Sequence, residues 1–255
     1  MSERVTVVVP CYNEEKRLDT RAFADFLGRA TPVDFLFVND GSRDATADVL
    51  HRLSSSAPER MSVLSLEQNS GKAEAVRRGI IAAMDSGAAT VAFWDADLAT
   101  PLDAIPQFLQ VLSMRPDISM VMGARVQLLG RSIARRPARH YLGRVFATVV
   151  SVVLGLRVYD TQCGAKMFRA TPEIRAIFSD PFRSRWIFDV ELIARLLGRR
   201  GGTNGRSDAI MELPLWYWRD VAGSKLKGKD FAIAIPELAR IWWHYLRTPA
   251  VSTAR

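Results

Sequence analysis

The first half of the chain alternates between two hydrophobic periodicities, and that alternation limits the fold more than any other feature. Short runs rich in β-branched and aromatic residues, "RVTVVVP" (4–10), "DFLFVND" (34–40), "MSVLSLE" (61–67), "ATVAFWDAD" (89–97) and "ISMVMGAR" (118–125), read as strands. Between them lie helical stretches at 17–29, 41–53, 70–87 and 101–114, the third with Ser70 as its expected cap and Gly87 as its stop. Strands joined through helices pair in parallel and are covered on both faces, so the expected class is α/β with a mostly parallel central sheet flanked by helices. Ligands of such sheets bind beyond the carboxyl ends of the strands. Here those ends carry unusual polar groups: "CYNEE" after the first strand, "NDGS" after the second and "DAD" at the fourth.

The second half is less regular. A basic loop (125–139) leads into an apolar helix (140–156), "YDTQCGAKMFRA" follows, and further helices are expected at 188–199 and 231–246, with one strand at 209–218. No repeat or long linker divides the 255 residues. The expected organisation is a catalytic domain over 1–228, including a basic loop and interfacial helix at 125–157, and a C-terminal amphipathic helix and tail over 229–255.

Composition narrows the partners. Two isolated cysteines and three scattered histidines argue against a zinc site or a disulfide framework. "MSERVTVVVPCYNEE" reads as no signal peptide, and no run reaches the roughly 18 apolar residues of a spanning helix. The nearest, "YLGRVFATVVSVVLGL" (141–156), carries Arg144. Net charge is +8, and residues 118–159 hold seven arginines without one Asp, Glu or Lys. That block calls for an anionic partner: nucleic acid, a membrane or a phosphorylated substrate. Nucleic acid is the weakest of the three, because residues 125–144 hold only Tyr141 for stacking. Arg131, Arg135, Arg136, Arg139 and Arg144 beside an apolar helix, with Trp242, Trp243 and Tyr245 near the end, suit a peripheral attachment to an anionic membrane surface.

Several residues carry candidate chemistry. Asp95 and Asp97 stand at i and i+2, so on an extended segment both carboxylates share a face and can hold Mg²⁺ or Mn²⁺. Asp40 can bind ribose hydroxyls or form an Asx turn with Gly41. Lys72 opens a helix, where a phosphate is favoured, but the segment is no P-loop, since Leu66 and Ala73 occupy the positions that need Gly and Ser or Thr. A nucleotidyltransferase's glycine-rich N-terminal loop is missing from "VVVPCYNEE". Asp189 and Glu191 are candidate bases. At helical spacing they diverge by about 200°, so one is expected to face a site, and Asp189 at the helix start is the better placed.

Together "VVVPCYNEE", "VNDGSRD", "NSGKAEAV" and "DAD" resemble the ordered motifs of glycosyltransferase family 2, with its GT-A fold. "GAR", "DTQCGAKMF", "RWIFDVEL" and "WYWRDVAGSKL" resemble the branch of that family that loads sugars onto dolichyl or polyprenyl phosphate, and the match runs from about residue 5 to residue 226. The resemblance implies that Pro10, Tyr12 and Glu14 frame the base and ribose of a nucleotide-sugar donor and that Asp40 contacts the nucleoside. It implies that Asp95, Ala96 and Asp97, with Lys72, form the sugar-diphosphate site, and that the two aspartates hold the metal. Asp97, Asp189 and Arg125 become the catalytic candidates, and Arg125, Arg139, Arg219 and Lys225 the acceptor-phosphate ligands. Mannosyl-type relatives often read "DADLQHP"; Ala99 replaces that glutamine here and leans the reading toward glucose. The implied activity is inverting, metal-dependent transfer of a hexose, UDP-glucose favoured, to polyprenyl or dolichyl phosphate at the cytoplasmic face of a membrane, with or without recruitment by a membrane protein. GDP-mannose or a UDP-N-acetylhexosamine as donor, or a saccharide hydroxyl as acceptor, are the alternatives.

Overall fold

The computed structural model describes residues 4–29, 31–134, 137–201, 207–221 and 228–247. The first half is built of β1 (Val5–Cys11), α1 (Thr20–Leu27), β2 (Val33–Asp40), α2 (Thr46–Ser55), β3 (Met61–Leu66), α3 (Lys72–Asp85), β4 (Thr90–Trp94), α4 (Ile105–Met114) and β5 (Met120–Ala124). The second half adds β6 (Ser132–Ala134), α5 (Pro137–Leu154), β7 (Ala165–Arg169), α6 (Pro172–Phe178), α7 (Phe188–Arg199), β8 (Ile210–Pro214), β9 (Tyr217–Arg219) and α8 (Gly228–Ile241), which runs on into a π-helical turn at Trp242–Leu246.

Seven strands form one sheet in the order β3-β2-β1-β4-β7-β5-β8. All neighbours are parallel except at β7, which runs antiparallel to both β4 and β5. β6 and β9 make a separate parallel pair. Successive residues of each central strand feed opposite faces. Val8, Leu36, Val38, Phe93 and Phe168 pack with α3, α6 and α7, whereas Val7, Val9, Phe35, Phe37, Trp94 and Met167 pack with α1 and α4. The ring of Phe23 meets Phe35 and Phe37 edge-on, each at 5.1 Å. This two-sided burial is why the strand sequences are nearly continuous in apolar residues. α8 and the π-turn bury Ala234, Leu238, Ile241 and Leu246 in the same core as α3 and α7, so that core extends across residue 228.

Four local expectations are corrected. β7 lies inside "DTQCGAKMFRA", which gave no strand signal because Lys166 interrupts a short apolar run; its ammonium is fully buried against Asp189. The strand expected at 209–218 is two, separated at Leu215 and Trp216, one in each sheet. α3 is capped at Gly71 and not Ser70, because the Asp40 carboxylate accepts the amides of both Ser70 and Gly71 and holds the preceding loop. β4 ends at Trp94, so Asp95 and Asp97 stand in the turn that follows it, with Leu98 at φ +51°, and not on an extended segment.

Candidate active site

Two cavities open beyond the carboxyl ends of β1, β2 and β4, and they meet at Lys72, Asp95 and Asp97, which line both. The first, of about 360 Å³, runs from these residues past Arg125, Arg144, Asp189 and Trp218. The second, of about 460 Å³, is bounded by Pro10, Tyr12, Glu14, Arg17, Asp40 and Ala96 among others. Both fall within the size range of small-molecule sites.

The DAD turn is held from several sides. The Trp94 indole donates to the Thr100 carbonyl at 2.8 Å, closing the turn, and the Asp95 amide donates to the Gly164 carbonyl at 2.9 Å. Gly164 is required here. A Cβ on it would lie 1.8 Å from Asp95 Oδ2, so any side chain would displace the carboxylate. The Ala99 amide donates to Asp97 Oδ1 at 3.1 Å, which fixes one oxygen of that carboxylate. Lys72 Nζ lies 2.5 Å from Asp95 Oδ1, and Arg17 Nη2 lies 3.8 Å from Asp97 Oδ2. Burial works against the Lys72 charge, but Asp95, Asp189 and Asp97 outweigh it and raise its pKa above the ordinary lysine value. Burial and the charge of Asp95 push the Asp97 carboxyl up, against the pull of the Ala99 amide and of Lys72 and Arg17.

That charge balance fits a divalent cation. Two hard oxygen donors repel each other in a partly desolvated turn, and a cation between them removes the repulsion. Among the described residues no third His, Cys, Asp or Glu joins them in a metal-binding group. Asp95 and Asp97 would be the residues to hold such an ion, and two carboxylates would leave its remaining positions open.

The second cavity is framed by the first two strand-end loops, which lock together. The Asn13 amide donates to Ser42 Oγ, the Arg43 amide to Asn13 Oδ1, and the Glu14 amide to Thr46 Oγ1 at 2.8 Å. Asp40 is 2% exposed, and it also accepts the Asn69 side-chain amide at 2.9 Å, so its carboxylate shapes the approach to Lys72. Gly41, at φ +59°, allows this, since a Cβ there would lie 2.4 Å from the Gln68 backbone. Pro10, Tyr12, Glu14, Asp40, Lys72, Asp95, Ala96 and Asp97 thus come together as the sequence suggests.

The other candidates divide. Arg125 lines the first cavity, clamped to Asp160 by contacts of 2.5 and 2.7 Å. Its charge is secured by Asp160 against the cost of burial. Asp160 and Tyr159 in turn donate their amides to the Glu212 carboxylate. Asp189 faces the first cavity and lies in the first turn of α7, whose N-cap is Ile187, so it is not itself the cap. It pairs with the buried Lys166, which also donates to the Cys163 carbonyl at 2.6 Å. Glu191 points the other way, fully buried and paired with Arg195. Arg219 is not among the residues brought to the cavities. In β9 the alternation turns Trp218 inward and leaves Arg219 exposed, outside both cavities. Lys225 and the side chain of Arg139 lie outside the described residues. Tyr245 is also turned in, donating to Glu191 at 2.9 Å, whereas Trp242 and Trp243 are exposed.

The structure adds residues that the motifs did not assign to the site: Lys166, Tyr159, Arg185, Trp186 and above all Arg144. The Arg144 guanidinium stacks on Tyr159 at 3.8 Å, and its Nη1 is buried without a hydrogen-bond partner among the described residues. A lone arginine in the apolar helix at 141–156 was the visible signal.

The family model for glycosyl transferase family 2 matches residues 6–175. Dolichyl-phosphate beta-glucosyltransferases are similar along most of the chain. That of Drosophila melanogaster is 35% identical over 75% of this chain and 62% of its own length, and the Homo sapiens protein 32% over 88% and 70%. One from Trichomonas vaginalis is 30% identical over 87% of this chain. The chain spans about two thirds of the length of these relatives. Among solved structures, Mycobacterium tuberculosis glucosyl-3-phosphoglycerate synthase superposes with a TM-score of 0.68 at 18% identity, covering 98% of this chain and 83% of that one. Its complex with Mn²⁺, UDP and glucosyl-3-phosphoglycerate gives a TM-score of 0.67 at 19% identity over 98% of this chain and 82% of that one. The likeness establishes the α/β GT-A fold expected from the motifs. A family match across the strand-end motifs that build both cavities, joined to relatives similar over most of its length, makes this chain a member of glycosyltransferase family 2.

Proposed function

We propose that the protein transfers a hexose, with glucose favoured, from a nucleoside-diphosphate sugar to a polyprenyl or dolichyl phosphate, inverting the anomeric centre. The observation that carries this reading is the junction of the two cavities at Lys72, Asp95 and Asp97. The cavity framed by Pro10, Tyr12 and Glu14 has the size and polarity for a nucleoside, and the junction, with a divalent cation at Asp95 and Asp97 beside Lys72, would have the charge for its diphosphate. The opposite cavity supplies arginines for an acceptor phosphate and an apolar wall from Phe146, Ala147 and Trp186 for the start of a lipid chain.

The chemistry follows from these groups. Negative charge builds on the diphosphate as its bond to the anomeric carbon breaks, and Lys72 beside Asp95 faces that charge. Mg²⁺ or Mn²⁺ at Asp95 and Asp97 supplies Lewis-acid stabilisation of the leaving diphosphate when bound. A phosphate monoester, with a second pKa of about 6, is largely dianionic at neutral pH and attacks without giving up a proton. The pairing of Asp189 with Lys166 agrees with such a base-free attack, because this carboxylate is already committed to a buried ammonium. Arg125 and Arg144 would orient the acceptor phosphate in line with the departing diphosphate. The relatives named as dolichyl-phosphate beta-glucosyltransferases, and Ala99 at the edge of the DAD turn, support glucose and a lipid phosphate.

Attachment to the cytoplasmic face of an anionic membrane, directly or through a membrane protein, belongs to the same reading. No described helix is long and apolar enough to cross a bilayer. α5 contributes Arg144 and Ala147 to the first cavity and exposes Tyr141, Val145, Val149 and Val152 on its outer side. The test incubates purified protein with Mg²⁺ or Mn²⁺, polyprenyl phosphate and a panel of UDP- and GDP-sugars. A sugar-phosphate lipid formed from UDP-glucose is expected. Turnover only with saccharide hydroxyl acceptors, or no product with any donor even with membranes added, overturns the reading.

A further inference from the structure

A third cavity, of about 530 Å³, lies between α6, the far end of α7 and the π-turn, and shares no lining residue with the first two. Its chemistry is cationic. Arg183, Arg195, Arg199 and His244 line it, with Asp180 as the one carboxylate and Tyr245 on its wall. Arg195 is neutralised by Glu191 at 2.8 Å. Arg183 and Arg199 have no carboxylate partner among the described residues. Arg183 Nη2 instead meets His244 Nε2 at 3.1 Å. An arginine has no acceptor, so the imidazole must accept at that nitrogen. The Arg183 guanidinium thus meets an imidazole nitrogen in place of a carboxylate, with Arg199 as a second arginine on the same cavity.

The cavity is wired to the site described above. Glu191 accepts the amides of Arg183 at 3.1 Å and Ser184 at 2.8 Å, together with the Tyr245 hydroxyl. These amides begin the segment that delivers Arg185, Trp186, Phe188 and Asp189 to the first cavity. We propose that the Arg183–Arg199–His244 cavity is a second anion-binding site, for a phosphate-bearing ligand, and that its occupancy steadies residues 183–189. Two arginines without a carboxylate suit a dianion, and the volume exceeds that of bare phosphate, so the ligand carries a further group. A lipid headgroup and a soluble phosphate ester share this chemistry.

The test measures binding, so it stands apart from the transferase reading. Inorganic phosphate and pyrophosphate are titrated calorimetrically into the full-length protein, and vesicles of phosphatidylcholine with or without phosphatidylglycerol are assayed by flotation. Arg183→Gln/Arg199→Gln is compared with Lys72→Met, which alters only the first two cavities, and with Arg199→Gln alone in case the double variant folds poorly. Binding to at least one probe should weaken about tenfold or more in the arginine variants and persist in Lys72→Met. Soluble anions binding in this way identify a free phosphate ligand; phosphatidylglycerol vesicles alone identify a headgroup. Hydrogen exchange at the Arg183 and Ser184 amides should slow when the anion binds. No binding by any probe, or binding that only Lys72→Met removes, overturns the site. Binding without amide protection overturns the link to the 183–189 segment.

Discussion

At the scale of single residues, the DAD turn concentrates the decisive charge. Asp97 is held by the Ala99 amide, crowded by Asp95 and partly desolvated, so its negative charge is costly to the folded protein and useful only toward a cation. Asp97→Asn is therefore expected to separate activity from stability. Sugar transfer should fall by a factor on the order of 10² or more, the usual effect of deleting one charge-stabilising group. The melting temperature should hold or rise, because a neutral amide replaces a carboxyl whose ionisation burial opposes. Parallel initial-rate and thermal-melt measurements check this, and a variant that keeps full turnover would mean that the turn holds no metal. Asp40 carries the opposite lesson. It stands at an equivalent strand end, yet its carboxylate is spent on the amides of Ser70 and Gly71, and through them it sets where Lys72 begins α3.

At the scale of elements, β7 links the sheet to the first cavity. It inserts antiparallel between β4 and β5 and carries Lys166 to Asp189 in α7. Removing one member of a buried pair leaves the other charged and alone, at a cost of about 3–5 kcal/mol. Lys166→Met should lower the melting temperature by roughly 10 °C for a chain of this size. Lys166→Met/Asp189→Leu should recover most of that loss; failure to recover would show that the lysine acts through something other than the pair. α3 gives the pH-dependent case. Hydrogen bonds from Arg77 and Arg78 hold the Glu74 carboxyl below the ordinary glutamate value, and Arg77 also caps the Ser179 carbonyl beyond α6. A depressed carboxylate pKa contributes stability above its unfolded value and loses it as pH falls through the folded one. Glu74→Gln should thus destabilise at neutral pH and flatten the loss of stability on acidification, as followed by denaturant midpoints from neutral to acidic pH. These two elements also show what a sequence discloses. β1, β2, β4 and β5 were legible because burial on both faces imposes nearly unbroken apolar runs, the edge strand β3 by its apolar positions interrupted by Ser62 and Ser65, and the loop motifs because few residue types suit them. β7 was hidden because a lysine reads as solvent-exposed until its partner, 23 residues away, is brought beside it. The direction of Arg219 was not legible, because a three-residue strand offers too few positions to set which face is inward. Arg144 carried its signal, a charge in an apolar helix, but only folding could aim it.

At the scale of the whole molecule, the two halves of the chain divide the work, and α5 joins the chemistry to the surface. The regular half builds the junction at Lys72, Asp95 and Asp97; the irregular half supplies the opposing arginines and an outward apolar stripe. Tyr141, Val145, Val149 and Val152 recur at spacings of four, four and three, so they form one exposed face, with Val145 at 65% and Val152 at 78% exposure. Such a face on a chain of net charge +8 fits the proposed attachment to an anionic lipid surface. If the acceptor is delivered from a bilayer, this face and not the cavity should govern access to it. Val145→Asp/Val152→Asp places two carboxylates on the stripe, and neither residue lines either cavity. Flotation with vesicles containing phosphatidylglycerol should then weaken about tenfold or more, and transfer to long-chain acceptor embedded in those vesicles should fall in step. Transfer to a short-chain polyprenyl phosphate dispersed in detergent should stay within about twofold, since the chemistry at Asp95 and Asp97 is unaltered. Unchanged flotation would remove α5 as the membrane face and shift attention to Trp242 and Trp243, whereas equal loss with both acceptors would mean that the substitutions had reached the cavity through the helix.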